Sequence, residues 1–275
     1  MNTKLKVVAV AGPTASGKSA KALEIAHERN GEIISVDSRQ VYRMLDIGTE
    51  KITPEEMEGI PHHLIDIRDP KESYSAGDFA QDATKLIEDI TARGKLPILA
   101  GGSHFYFHAL IYGIPAHVAM DPVLRAELET YTDQELYERV QAQDAHRAES
   151  LDPNNRRRLI RALEILQKYE KVPEPIVEPV FDVEWIVLNP EREVLRERIS
   201  ARLEETLAKG LIQEVEKVRE YVGDDRLNEL GLEYKVIGEF LRGERTEDTL
   251  LPTLTSRLYH YARRQKAWLR KLELN

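Results

Sequence analysis

The sequence has no cysteine in 275 residues, which removes disulfides, thiolate metal sites and cysteine nucleophiles from consideration. It has no apolar run of membrane-span length and no signal-peptide pattern ahead of its first core strand, so a cytoplasmic protein with no membrane partner is expected. No internal repeat or low-complexity tract is present. The formal net charge of −9 excludes a uniformly basic nucleic-acid coat but leaves room for local basic patches. Hydrophobic residues at 41% and charged residues at 32% describe an ordinary globular chain, long enough for one large domain or one domain plus an insertion.

What is present is organised around Gly12-Pro13-Thr14-Ala15-Ser16-Gly17-Lys18-Ser19, which fits the phosphate-loop pattern G-x-x-x-x-G-K-[ST] at every fixed position. The apolar run Leu5 to Val10 before it predicts a strand, and Ala20 to Arg29 after it predicts a helix. Backbone N–H groups of such a loop, together with a helix N-terminus, hold a phosphate without a side-chain cage. Lys18 reaches the outer phosphate oxygens, and the Ser19 hydroxyl suits a Mg²⁺ that the phosphates also hold. The loop alone leaves open which diphosphate it takes, ATP and other nucleotides included.

A second strand is expected over Gly31 to Val36, with Asp37, Ser38, Arg39 and Gln40 at its C-terminal edge, where open parallel sheets bind ligands. Asp37 there is either a general base or a turn cap. A third strand is expected over Pro61 to Ile67; its neighbours His62 and His63 would point to opposite faces and serve structure rather than one metal ion. Ser75 and Asp78 predict a helix start that runs to Gly94. Leu96 to Ala100 predicts a strand leading into Gly101-Gly102-Ser103, where Ser103 either caps the next helix or meets a ligand.

From Ile114 to about Pro175 the strand pattern vanishes and helical spacing dominates, which suggests a helical insertion. Its Arg156-Arg157-Arg158 run reads as a solvated face, a phosphate lid or a grip on RNA backbone. Glu184 to Leu188 returns to strand pattern, and helices follow. Arg198 and Arg202 fall one helical turn apart, as a pair gripping an anion would. The last helix, Pro252 to Leu272, interleaves Arg257, Arg263, Arg264 and Arg270 with Tyr259, Tyr261 and Trp268, a mixture suited to looped RNA or to a closing amphipathic helix.

Several stretches together resemble the tRNA dimethylallyltransferases, also called tRNA isopentenyltransferases, over nearly the whole length. They are the phosphate loop, Val36 to Lys51, His63 to Pro70 with Tyr74 to Phe79, Ala100 to Ser103, Asp121 to Arg125, Arg157 to Glu164, and Arg263 to Arg270. The resemblance implies an α/β fold: a phosphate-loop, nucleotide-kinase-like core of parallel sheet flanked by helices, formed by residues 1–114 and 176–275, with a small all-helical, tRNA-binding insertion over 115–175. It implies transfer of a dimethylallyl group from dimethylallyl diphosphate to N6 of the adenosine next to the anticodon, position 37, of tRNAs reading codons that begin with U. In that reading Gly12 to Ser19 bind the diphosphate, with Mg²⁺ at Ser19. Lys18, Asp37, Ser103 and Arg202 are catalytic. Asp37, Ser38, Arg39, Gln40, Ser103, Arg125, Arg157, Arg158, Leu159, Ile160 and Arg161 meet the tRNA anticodon stem-loop, with a further segment near Leu230 to Lys235. A monomer is expected. Two departures are visible: Glu233 stands where the family usually has glycine, and Ser103 replaces a common threonine. The rival readings are a small-molecule phosphotransferase, an enzyme that prenylates free adenine nucleotides, and a non-catalytic RNA-binding protein.

Overall fold

A computed structural model describes residues 4–114, 118, 121–174 and 178–272. The boundaries expected at 115 and 175 fall outside the described residues. The chain divides into two compact units, one formed by residues 1–111 and 179–275, the other by Tyr112–Glu178.

The first unit begins with β1 (Lys6–Ala11), α1 (Lys18–Arg29), β2 (Gly31–Val36), β3 (His62–His63), α2 (Ala76–Ala92), β4 (Leu96–Gly101) and α3 (His104–Ile111). The strands form a sheet of order β3-β2-β4-β1-β5, where β5 is Asp182–Val187, and every neighbouring pair is parallel. Residues Val7 to Ala11 of β1 and all of β2 are buried, because helices cover both faces of the sheet. On one face α1 packs Ala22, Ile25 and Ala26 against Val8, Val10, Ile33 and Ile98. On α2 and α3, Phe79 and Tyr106 stack with centroids 4.5 Å apart. The helix start at Ser75 carries a full capping box with Asp78.

The third strand is shorter than its apolar run suggests. Leu64 and Asp66 take φ of 62° and 57°, which turns the chain out of the sheet after His63. His63 Nε2 lies 2.8 Å from the Glu32 carboxylate, and His62 Nδ1 lies 2.9 Å from the Ile60 carbonyl, so both serve the strand.

Among the described residues the second unit holds the helices α4 (Pro122–Leu128), α5 (Asp133–Gln143), α6 (Ala145–Glu149) and α7 (Arg156–Leu166). Its core joins Leu128, Leu136, Val140, Leu151, Leu159, Ile160, Leu163 and Leu166. Back in the first unit, β5 is followed by α8 (Arg192–Ala208), α9 (Leu211–Val222), α10 (Asp224–Leu227), α11 (Leu232–Leu241) and α12 (Leu250–Leu272). Among the described residues no helix is long and apolar enough to cross a membrane.

Glu32, on β2 and only 2% exposed, is held by Arg93 and Lys95 as well as His63. The hydrogen bond from Arg93, ahead of those from Lys95 and His63, holds its carboxyl far below the usual range. Arg93 and Lys95 are 40% and 33% exposed and rehydrate if the carboxylate is lost. Glu32→Gln is therefore expected to cost about 1.5–3 kcal/mol, as for hydrogen bonds to charged groups, and not the ~3–5 kcal/mol of a fully buried orphan. Because the folded value is depressed, this stabilisation is present above the ordinary carboxylate value near ~4.3 and is lost as pH falls below it. Urea unfolding of both proteins at about pH 7 and about pH 3 should show a gap that shrinks in acid.

Candidate active site

Because β1, β2 and β4 are parallel neighbours, their following loops leave the sheet at one level. Gly101 pairs in register with both Ala11 and Val36, so Gly12, Asp37 and Gly102 all begin at the same edge. Gly12 has no alternative: a Cβ there would sit 2.5 Å from Ser16 Oγ and 2.9 Å from the Leu188 carbonyl. Ala15 and Gly17 take φ of 60° and 92°, which curls the loop so that α1 starts at Lys18 with no side chain capping its N–H groups. Ser16 Oγ is buried without a partner among the described residues.

A cavity of about 770 Å³ opens over this edge. Thr14, Ala15, Lys18 and Ser19 line it from the phosphate loop, while Gly12, Pro13 and Ser16 are buried. Lys18 Nζ donates to the Pro13 carbonyl at 2.8 Å. Desolvation lowers the Lys18 ammonium to about 8, with Asp37 pulling the other way and Arg202 adding to the fall.

Asp37, Ser38, Arg39 and Gln40 all line the same cavity. Asp37 does cap its turn: Oδ1 accepts from the N–H groups of Arg39 at 2.8 Å and Gln40 at 3.3 Å. The cap uses one oxygen only, and among the described residues Oδ2 makes no hydrogen bond. Ser103 Oγ accepts from Ser38 N–H at 3.1 Å, which holds the strand-end turn from the neighbouring loop. Gln40 bonds Ser35 Oγ through Oε1 and the carbonyls of Thr49 and Glu50 through Nε2.

Arg202 is only 12% exposed and reaches the phosphate loop, where it donates to Thr14 Oγ1. Its Nη2 donates to Glu233 Oε1 at 3.2 Å, and its Nε stands 2.9 Å from Glu50 Oε1 as an ion pair off the hydrogen-bonding line. The expected pairing with Arg198 is not found: Arg198 is exposed on α8 and does not line the cavity. Spacing puts both arginines on one helix side, but only Arg202 meets the loop.

Glu233 is the departure noted in the sequence. Its side chain is 12% exposed, lines the cavity and faces Arg202, and burial raises its carboxyl while Arg202 opposes the rise. Leu230, Gly231, Leu232 and Tyr234 line the cavity beside it. Two further contributors carried no signal in the sequence. Glu214 of α9 accepts from the N–H groups of Asp46, Ile47 and Gly48 at 2.7–3.0 Å and from Tyr234 Oη at 2.7 Å. It thereby fixes the loop that brings Gly48, Thr49 and Glu50 to the cavity. Gln265, on α12, is described below.

The aromatics of α12 are not an exposed stacking surface. Trp268 packs within 6.1–6.3 Å of Phe107 and Trp185, and Arg192 donates to Tyr259. Tyr261 lines the cavity, and burial pushes its phenol up to about 12. The inward turn follows from amphipathic packing of α12 on α8 and α11, and it leaves Arg263, Arg264 and Arg270 exposed.

In the second unit, Arg157 and Arg158 are exposed and show no ion pair among the described residues. Leu159 and Ile160 are 0% and 2% exposed, so direct RNA contact by these side chains is corrected: they build the core. Five successive helical residues cannot all face outward at 3.6 residues per turn. Arg125 and Arg161, each 37% exposed, both hold the buried Glu164 at 3.0 Å.

For the cavity, Lys18 gives a pH signature. Below pH 8 it is charged and attracts an anion; above it the free protein's lysine is neutral and must be recharged on binding. Affinity for a diphosphate ester is expected to weaken above that point by up to ~10-fold per pH unit. Calorimetric titration from about pH 7 to about pH 10 checks this, and Lys18→Met should bind weakly with no such slope.

A family model described as IPP transferase matches residues 40–272. The tRNA dimethylallyltransferase of Streptococcus pyogenes serotype M49 is 42% identical over 272 residues, covering 98% of this chain and 89% of that protein. Among solved structures, the tRNA isopentenylpyrophosphate transferase of Bacillus halodurans is 41% identical with a TM-score of 0.73, covering 97% of this chain and 87% of the other. A eukaryotic dimethylallyltransferase acting on tRNA is 30% identical with a TM-score of 0.84, covering 96% and 69%. With the phosphate loop, the strand-end Asp37 and the closing arginine in one cavity, this chain belongs to the IPP transferase family, the family of the tRNA dimethylallyltransferases.

Proposed function

We propose that this protein transfers the dimethylallyl group of dimethylallyl diphosphate to N6 of adenosine 37 in tRNAs that read U-initial codons, releasing diphosphate. The observation that carries the reading is the make-up of one cavity. Lys18, Arg202 and the phosphate loop stand together with Leu23, Ile52, Leu230, Leu232 and Leu258, an apolar wall suited to a short prenyl chain. Asp37 supplies a carboxylate oxygen that no donor among the described residues occupies.

In the reaction the N6 lone pair forms the bond to C1 of the prenyl group while the C1–O bond to diphosphate breaks. Asp37 Oδ2 accepts the N6 proton. Lys18 and Arg202 take the charge that grows on the departing diphosphate, and Arg202 is already oriented by Glu50, Glu233 and Thr14. Adenine N6 is a poor nucleophile, so alignment across a dry cavity contributes more than base strength. The adenosine must leave its stack to enter.

The Ser19 hydroxyl, exposed at the first turn of α1, would hold a Mg²⁺ beside the bound diphosphate, and the ion would supply charge neutralisation there. Arg157 and Arg158, without an ion pair among the described residues, are the cations of α7 offered to tRNA phosphates, and Arg125 and Arg161 hold Glu164 of that helix.

Incubation with labelled dimethylallyl diphosphate and total tRNA, followed by nucleoside analysis, tests the reading. Transfer of a phosphate from ATP to a small alcohol, with no prenylated adenosine, would refute it. Asp37→Ala is expected to lower turnover by about 10²–10⁴-fold while the Kd for the prenyl donor holds. Arg157→Ala and Arg158→Ala should each raise the KM for tRNA and flatten the slope of log affinity against log salt by about 0.7–0.9. Binding measured at several salt concentrations decides between this grip and a lid over the donor, which would weaken donor binding and leave the slope alone.

A further inference from the structure

Gln265 is 4% exposed, on the face of α12 that meets the sheet edge. Its Oε1 accepts from the N–H of Thr14 at 3.0 Å, and its Nε2 donates to the carbonyl of Gly102 at 2.8 Å. Thr14 belongs to the phosphate loop. Gly102 leads into Ser103, whose hydroxyl holds the N–H of Ser38 beside Asp37. A single planar amide therefore bridges the loop that cradles the donor and the loop that orients the base. The fit is close: a Cβ on Gly102 would stand 2.4 Å from Gln265 Nε2 and 3.3 Å from the Gly12 carbonyl.

The helix holds this amide firmly. Trp268, three residues on, is packed against Phe107 and Trp185, and Leu258 and Tyr261 line the cavity two turns and one turn earlier. The amide offers both an acceptor and a donor in one plane at this reach. A carboxylate keeps the acceptor for Thr14 and repels the Gly102 carbonyl. An aliphatic side chain of similar size leaves both backbone groups unpaired.

We propose that Gln265 is a positioning residue that sets the separation between the diphosphate cradle and the Asp37 turn, and so the alignment of prenyl C1 with the attacking amine. This rests on the reading of the cavity as the prenyl donor's site. Gln265 acts through Thr14 and Gly102 and touches neither reacting atom.

The test compares wild-type protein with Gln265→Glu and Gln265→Leu. Three quantities are measured: the single-turnover rate at saturating tRNA and dimethylallyl diphosphate, the Kd for dimethylallyl diphosphate without tRNA, and the thermal midpoint. Gln265→Leu is expected to lower the saturated rate by about 10²-fold, the scale of a small misalignment, and to weaken donor binding by about 10-fold. Gln265→Glu keeps the bond to Thr14 N–H, so its donor Kd should stay within about 2-fold while its rate still falls by about 10-fold. A lowered midpoint with wild-type saturated rates would mean a structural role only and overturn the proposal. Should Gln265→Leu fail to fold, Gln265→Glu decides by the same split. Wild-type protein that neither binds the donor nor transfers the prenyl group would instead overturn the reading of the cavity, and this inference with it.

Discussion

The shared level at which β1, β2 and β4 end is the constraint on which the site depends. Parallel neighbours in register deliver their loops to one edge, and Gly101 stands level with Ala11 on one side and Val36 on the other. The burial of these strands makes a slip of register costly, since both faces are packed. The phosphate loop, the Asp37 turn and the Gly102 loop are therefore brought together before any ligand arrives. Glu32, tied to Arg93, Lys95 and His63 near the opposite ends of the strands, secures the same register from the other side.

An anion site built in advance must hold its cations apart from water and from one another. Lys18 meets this by losing part of its proton affinity, and Arg202 meets it by resting between two carboxylates and a threonine hydroxyl. Glu233 matters in this light. It neutralises Arg202 across the cavity and fixes the direction of the guanidinium, so little reorganisation remains when charge appears on a leaving group. Burial at that wall raises its carboxyl.

The second unit separates its charges by helix geometry. On α7 the apolar residues and Glu164 face inward, and Arg157 and Arg158 face out. Glu164 turns two other arginines into struts, while Arg156 ties α7 to Glu129 and Asp133. A run that looks uniformly basic in sequence thus divides into structural and free cations.

The sequence by itself determined the features whose physics is local. A phosphate loop is a string of adjacent backbone N–H groups, so spacing alone reveals it, and the strand before and helix after show by their periodicity. Asp37 was visible for the same reason, as the residue that follows a buried strand, and Ser75 as a helix cap. The third strand was overestimated because positive φ at Leu64 and Asp66 leaves no mark in an apolar run. Resemblance placed Leu159 and Ile160 at the RNA, and the aromatics of α12 stayed open between RNA and a closing amphipathic helix, because composition does not say which side of a helix faces its core. Tertiary structure alone decided the rest: Gln265 meets Thr14 across 251 residues, Glu214 meets Asp46 across 168, and Arg202 meets Thr14 across 188. Such bonds depend on where whole helices dock on the sheet, and the docking is set by packing of distant apolar faces, which no local pattern encodes.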